Sequence, residues 1–155
     1  MATTKKVASR KPAARKSATS RPTKTGAAGD DAKRAVCETL CAILKRQARS
    51  LLITQEGPLG MQVSLKQEVR GKPFWLGGVR VGKSYVSYHL MPVYMFPDLL
   101  AGLSPALRKR MQGKSCFNFR EGDPALMREL EALTKAGIAR VKKDGAALLA
   151  KYGKT

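Results

Sequence analysis

Between residues 30 and 52, the apolar positions Val36, Cys37, Leu40, Cys41, Leu44, Ala48, Leu51 and Leu52 recur at helical spacing. Lys33, Arg34, Lys45, Arg46 and Arg49 fall largely off that stripe. Asp30 and Asp31 supply acceptors for the orphan amides of a first turn. The spacing therefore predicts a helix that starts there and ends at Gly57-Pro58. The period then changes. Met61, Val63 and Leu65 alternate with polar residues, and Phe74 to Val81 and Ser84 to Met91 are rich in β-branched and aromatic types. Gly71-Lys72-Pro73 and Gly82-Lys83 separate these stretches, which predicts an antiparallel meander. Prolines 92, 97 and 105 break the following stretch, where Phe96 to Leu103 and Ser104 to Met111 can each form a short helix. Ser115 to Phe119 reads as one more strand. Asp123-Pro124 opens a last helix with an acid at the cap and proline at the first helical position. Leu126, Leu130, Leu133, Ile138 and Val141 form its stripe, which Gly145 interrupts before Ala146 to Tyr152.

Residues 1–29 have no such period. They hold Lys5, Lys6, Arg10, Lys11, Arg15, Lys16, Arg21 and Lys24, with no acid and no aromatic. A segment of this kind buries too little apolar surface to offset the cost of ordering its backbone, so a disordered cationic tail is expected over 1–29, ahead of a domain over 30–155. Across all 155 residues, 30 Lys and Arg face 11 Asp and Glu, a net charge of +19. Eight tail cations without a counter-charge attract polyanions, so non-specific association with DNA or RNA through the tail is expected, with no base readout implied. The plainer alternative is a solvated, solubilising extension. A transit peptide is disfavoured because the segment lacks Leu, Ile and Phe for an amphipathic face. No apolar run approaches the length of a membrane span, and three Cys without framework spacing fit a reducing compartment, so a cytoplasmic protein with no membrane association is expected.

Gly77 to Ser84 satisfies the phosphate-loop pattern, with Gly77, Gly82, Lys83 and Ser84 at the required spacing. That chemistry needs a helix after the loop, so that helix N-terminal amides converge on phosphate. Here Tyr85 to Met91 favours a strand, so a hairpin turn is expected and a nucleotide hydrolase is not. Cys37 and Cys41 share one helix face, yet two ligands do not complete a metal site, and small buried apolar residues are the simpler reading. Cys116 and His89 could act as nucleophile and base only if the fold brings them together. Eight of the nine aromatics lie on the expected sheet or its continuation, where core packing outweighs a nucleic-acid stacking platform. Lys83, Tyr85, Tyr88, His89 and Lys114 are the candidates for a ligand face on the folded domain.

Three runs carry a family resemblance. They are Lys83-Ser84-Tyr85-Val86-Ser87-Tyr88-His89-Leu90, Ser104-Pro105-Ala106-Leu107-Arg108-Lys109-Arg110-Met111, and Gly113-Lys114-Ser115-Cys116-Phe117-Asn118-Phe119 before the Asp-Pro helix. The chain resembles the YdhG-like proteins over roughly residues 31–141, a bacterial family of unknown function. The resemblance implies an α+β fold with the N- and C-terminal helices packed on one face of a small antiparallel sheet. Some members are described as frataxin-like iron chaperones, which implies iron handling as an alternative function. The scattered acids of this chain depart from that pattern, because hard iron sites prefer clustered oxygen ligands. The combined expectation is a non-catalytic binding protein without a cofactor. Its tail would hold polyanions while its folded domain binds an unidentified ligand or partner.

Overall fold

The computed structural model describes residues 25–153. Four strands run in order as a meander: β1 (Leu51–Gly57), β2 (Gly60–Val69), β3 (Lys72–Val81) and β4 (Val86–Leu90). They are preceded by α1 (Thr25–Gln47) and followed by α2 (Met91–Met95) and α3 (Pro105–Arg108). Two short strands, β5 (Met111–Gln112) and β6 (Cys116–Phe119), then lead into α4 (Pro124–Gly153). All pairings are antiparallel and the sheet order is β1-β2-β3-β4-β6-β5. The fold class is the expected α+β, with the helices at the two ends of the chain covering one face of the sheet.

The first helix differs at both ends from its expected bounds. It begins at Thr25 rather than Asp30, so five residues assigned to the tail are helical. It stops at Gln47, and Leu51 and Leu52 open β1 instead of continuing its stripe. Ile53 and Thr54 are β-branched, and Gly57 and Gly60 close a hairpin around Pro58-Leu59, so local strand propensity overrides the apparent helical period. The expected helix over Phe96 to Leu103 is only a 3-10 turn at Pro97–Leu100, and a single helical turn, α2, precedes it. Gly145 does not interrupt α4, which runs through it to Gly153 with Gly145 buried. The Asp123-Pro124 start is as expected. Asp123 Oδ1 accepts from the amides of Ala125 at 2.9 Å and Leu126 at 3.3 Å. The tail cations Lys5, Lys6, Arg10, Lys11, Arg15, Lys16, Arg21 and Lys24 lie outside the described residues.

The core sits between helices and sheet. Leu40, Ile43 and Leu44 of α1 and Leu130, Leu133, Ile138 and Val141 of α4 pack with Met61, Val63, Leu76, Val79, Val86, Tyr88, Leu90, Phe117 and Phe119 from the strands. Two polar contacts tie the helical layer together. The Arg46 guanidinium of α1 reaches both oxygens of Glu131 on α4 at 2.6 Å, and Glu129 of α4 accepts from the amide and hydroxyl of Ser104 at the start of α3. Inside the core, the Thr134 hydroxyl donates to the Leu130 carbonyl, which leaves the Tyr88 phenol to donate to Thr134 Oγ at 2.7 Å. The buried phenol is thereby satisfied, and burial pushes its pKa up.

The strands approach closely at two glycines. A Cβ on Gly77 would stand 2.3 Å from the His89 carbonyl oxygen, and one on Gly60 would stand 1.9 Å from that of Val79. Gly77 adjoins a bulge, for Val63 pairs with Gly77 and Ser64 with Trp75, leaving Leu76 as an extra residue. The bulge resets the alternation, so Leu76 points into the core and Trp75 points away from it.

Tyr88→Phe should lower stability by about 1 kcal/mol, the ordinary net worth of one hydrogen bond, because Thr134 keeps its bond to Leu130. Gly77→Ala should cost more, because backbone rather than a mobile side chain blocks the added methyl. Urea unfolding followed by circular dichroism ranks the two, and equal midpoints would show that β3 and β4 can move apart freely.

Candidate functional site on the open sheet face

The helices cover one side of the sheet, so the two-residue period of each strand assigns every side chain to core or open face. Along β4, Val86, Tyr88 and Leu90 are buried, while Ser87 and His89 point the other way. Along β6, Phe117 and Phe119 are buried, and Cys116 and Asn118 face outward. The register sets Ser87 beside Asn118 and His89 beside Cys116. On the other side of β4, His89 lies across from Gly78 and Ser87 across from Arg80.

These positions form a continuous polar network. The Ser87 hydroxyl donates to Asn118 Oδ1 at 3.0 Å, and the Asn118 amide nitrogen donates to Gln112 Oε1. Cys116 Sγ lies 3.4 Å from Asn118 Oδ1 and 3.7 Å from His89 Nε2. The Trp75 indole stands beside the His89 ring, with centroids 6.0 Å apart and planes inclined by 55°. Its Nε1–H donates to Gln62 Oε1 at 2.6 Å, which ties the indole to β2. Gly78 makes room for this arrangement, because a Cβ there would stand 2.5 Å from the same Gln62 oxygen. Trp75 remains 38% exposed. The strand positions of this face over β3, β4 and β6 carry Arg80 and no carboxylate.

The thiol and the imidazole are both held neutral. Burial pushes the Cys116 thiol above its ordinary value, and burial together with the Arg80 guanidinium pulls His89 below its own. Cys116 is therefore not set up as a thiolate, and the pair serves more naturally as hydrogen-bonding groups.

Of the five residues expected on a ligand face, His89 occupies it. Lys114 sits in the β5–β6 turn at the same end of β4, its ammonium 5.7 Å from the centroid of Tyr94, which is 44% exposed. Lys83 and Tyr85 lie in the β3–β4 turn at the opposite end. Tyr88 is not on the face. Its parity in β4 places it inside the core, in contact with Thr134. The expectation missed Gln62, Arg80, Ser87 and Asn118. The visible signal for the last two was the alternation Ser87-x-His89 and Cys116-x-Asn118, polar positions between buried ones.

The remaining motifs have structural explanations. Gly82-Lys83-Ser84 forms the β3–β4 hairpin turn, and the strand β4 follows it, so the phosphate-loop pattern lacks its helix. The Lys83 carbonyl accepts from Lys33 Nζ at 3.0 Å. Cys37 and Cys41, with sulfurs 3.9 Å apart, line a groove of about 840 Å³ between α1 and the β1–β2 turn, together with Lys33, Lys45, Glu56 and Leu59. Burial and the neighbouring Cys37 push the Cys41 thiol up to about 12, so it stays protonated. Among the described residues, no three His, Cys, Asp or Glu side chains converge as metal ligands. No described helix is long and apolar enough to cross a membrane. Comparison with known proteins finds no matching family model, no similar curated protein and no similar solved structure.

The lowered pKa of His89 fixes the sign of a pH effect. Unfolding frees the imidazole to take up a proton near its ordinary value of about 6.5, whereas the folded chain resists protonation until lower pH. The unfolded state then binds more protons, and the contribution of His89 to stability is lost as pH falls below about 6.5. Urea midpoints at pH 7.5 and 5.5 should differ more for the native chain than for His89→Gln. Equal differences would show that His89 is solvated like a free side chain.

Proposed function

We propose that the chain is a non-catalytic binding protein that associates with nucleic acid through its cationic arm, while the folded domain engages a ligand or partner on its open sheet face. The observation that carries this reading is the arm's charge. Lys5, Lys6, Arg10, Lys11, Arg15, Lys16, Arg21 and Lys24 occur without a single acid. Residues 25–155 add 22 Lys and Arg against all 11 acids, a surplus of 11. Both parts of the chain thus favour a polyanion, and the attraction follows from counterion release rather than base readout.

The disposition of the acids supports the same reading. Asp30 pairs with Lys33, Glu56 with Lys45, Glu131 with Arg46, and Asp98 and Asp144 with Arg140. Asp123 caps α4 and Glu129 holds Ser104. Few carboxylates are left to repel phosphate or to gather around iron. The iron-handling alternative therefore rests on the resemblance to YdhG-like proteins alone. The neutral Cys116–His89 pair likewise supports recognition over nucleophilic chemistry.

Replacing the eight arm cations by Ser in the full chain should abolish binding to a labelled duplex at physiological salt, read by fluorescence anisotropy. Each neutralised phosphate contributes a log–log salt slope of about −0.9, so engagement of half the arm gives the native chain a slope of roughly −3 to −4. Unchanged affinity on neutralising the arm would sink the reading.

A further inference from the structure

Trp75 is the chain's one tryptophan; a bulge in β3 sets it on the open face, and Gly78 leaves room for the Gln62 side chain that holds it. Withdrawing an indole left 38% exposed would hide more apolar surface from water. Here the withdrawal was within reach, since an unbroken β3 would have turned this position inward and Leu76 outward. Instead the indole is anchored through Gln62 and flanked by His89, so its orientation is set before any ligand arrives. Gln62 and His89 adjoin it, and farther along the same face Ser87 of β4 and Asn118 of β6 add a hydroxyl and an amide. Arg80 lies on the face across from Ser87, and Lys114 stands in the β5–β6 turn at the end of β4 that carries His89.

We infer that this face is a stacking platform for single-stranded nucleic acid, with an unpaired base on the Trp75 indole and the flanking phosphates drawn by Arg80 and Lys114. The inference deepens the reading of the chain as a nucleic-acid binder and rests on it for the partner's class. Charge complementarity selects the occupant. Arg80 is the charged strand residue of this face over β3, β4 and β6, Glu68 of β2 lies across from Pro73 beyond Trp75, and residues 25–155 carry a surplus of 11 positive charges, which suits a polyanion, while an aromatic held by a hydrogen bond suits a base. Stacking on the indole requires the flat side of a base, which a duplex keeps inside its own stack. The arm holds any polyanion, whereas the platform discriminates single strands from duplexes.

The single tryptophan is also the reporter. Titrating unlabelled 12-nucleotide oligo-dT and oligo-U into the full chain should quench its fluorescence, while a duplex of the same length binds without comparable quenching. Trp75→Ala, checked for folding by circular dichroism, should bind the single strands roughly tenfold or more weakly and the duplex as before, and Trp75→Phe should restore most of the loss. Which of the two oligonucleotides binds more tightly distinguishes RNA from DNA as the source of the strand. Emission unchanged at saturation by anisotropy, or Trp75→Ala binding single strands like the native chain, overturns the platform while leaving the arm intact. The variant with eight arm cations replaced separates the two ideas. If it loses the duplex but oligonucleotides still quench Trp75, both stand, and if it keeps the duplex, the arm reading fails while quenching still decides the platform.

Discussion

Burial on one side only is the constraint from which the rest of the molecule follows. With α1 and α4 against a single face, each strand must divide its residues between an apolar interior and water. Val86, Tyr88 and Leu90 therefore take one side, and Ser87 and His89 the other. The same division in β6 gives Phe117 and Phe119 to the core and Cys116 and Asn118 to the surface. A register slip of one residue would exchange the two sets and bury a histidine, an asparagine and a serine without partners. The core therefore also fixes the outer constellation.

Two departures from regular geometry adapt this scheme. The bulge at Leu76 changes which side β3 presents, and Gly77 and Gly78 remove the methyl groups that would collide with the His89 carbonyl and the Gln62 side chain. Both glycines belong to the sequence pattern that mimics a phosphate loop. Their physical task is close strand packing, and the Lys-Ser that follows is simply the turn into β4.

The architecture was largely legible from the chain. Alternation in β2, the Asp123-Pro124 start and the Gly-punctuated meander all read directly, because each is a local signal. Leu51 and Leu52 misled, since two residues can continue a helical stripe by chance, and only the pairing of β1 with β2 assigns them. The site was less legible. His89 and Cys116 were singled out as types, but their contact depends on a register between strands separated by α2 and α3. Tyr88 was grouped with its neighbour His89, although adjacent strand residues face opposite sides, and the polar Ser87 and His89 around it mark it as the inward position that meets Thr134. Trp75 stood among the aromatics, but a bulge leaves no single-sequence mark that tells outside from inside.

The sheet also has two ends, and each is blunted. At one, β5 contributes only two residues, too few to template another strand. At the other, β1 is longer and leaves Ile53 exposed, yet Thr54 forms a second bulge, Glu56 carries charge, and Pro58 sits in the turn beside it. Irregularity, charge and proline on an outer strand all oppose edge-to-edge addition between copies. That matters for a strongly cationic chain, because any polyanion that gathers many copies along its length raises their local concentration and weakens the repulsion between like-charged copies. Crowded in that way, the molecules meet without a ready seam along which to polymerise, and an assembly on the polymer can remain reversible.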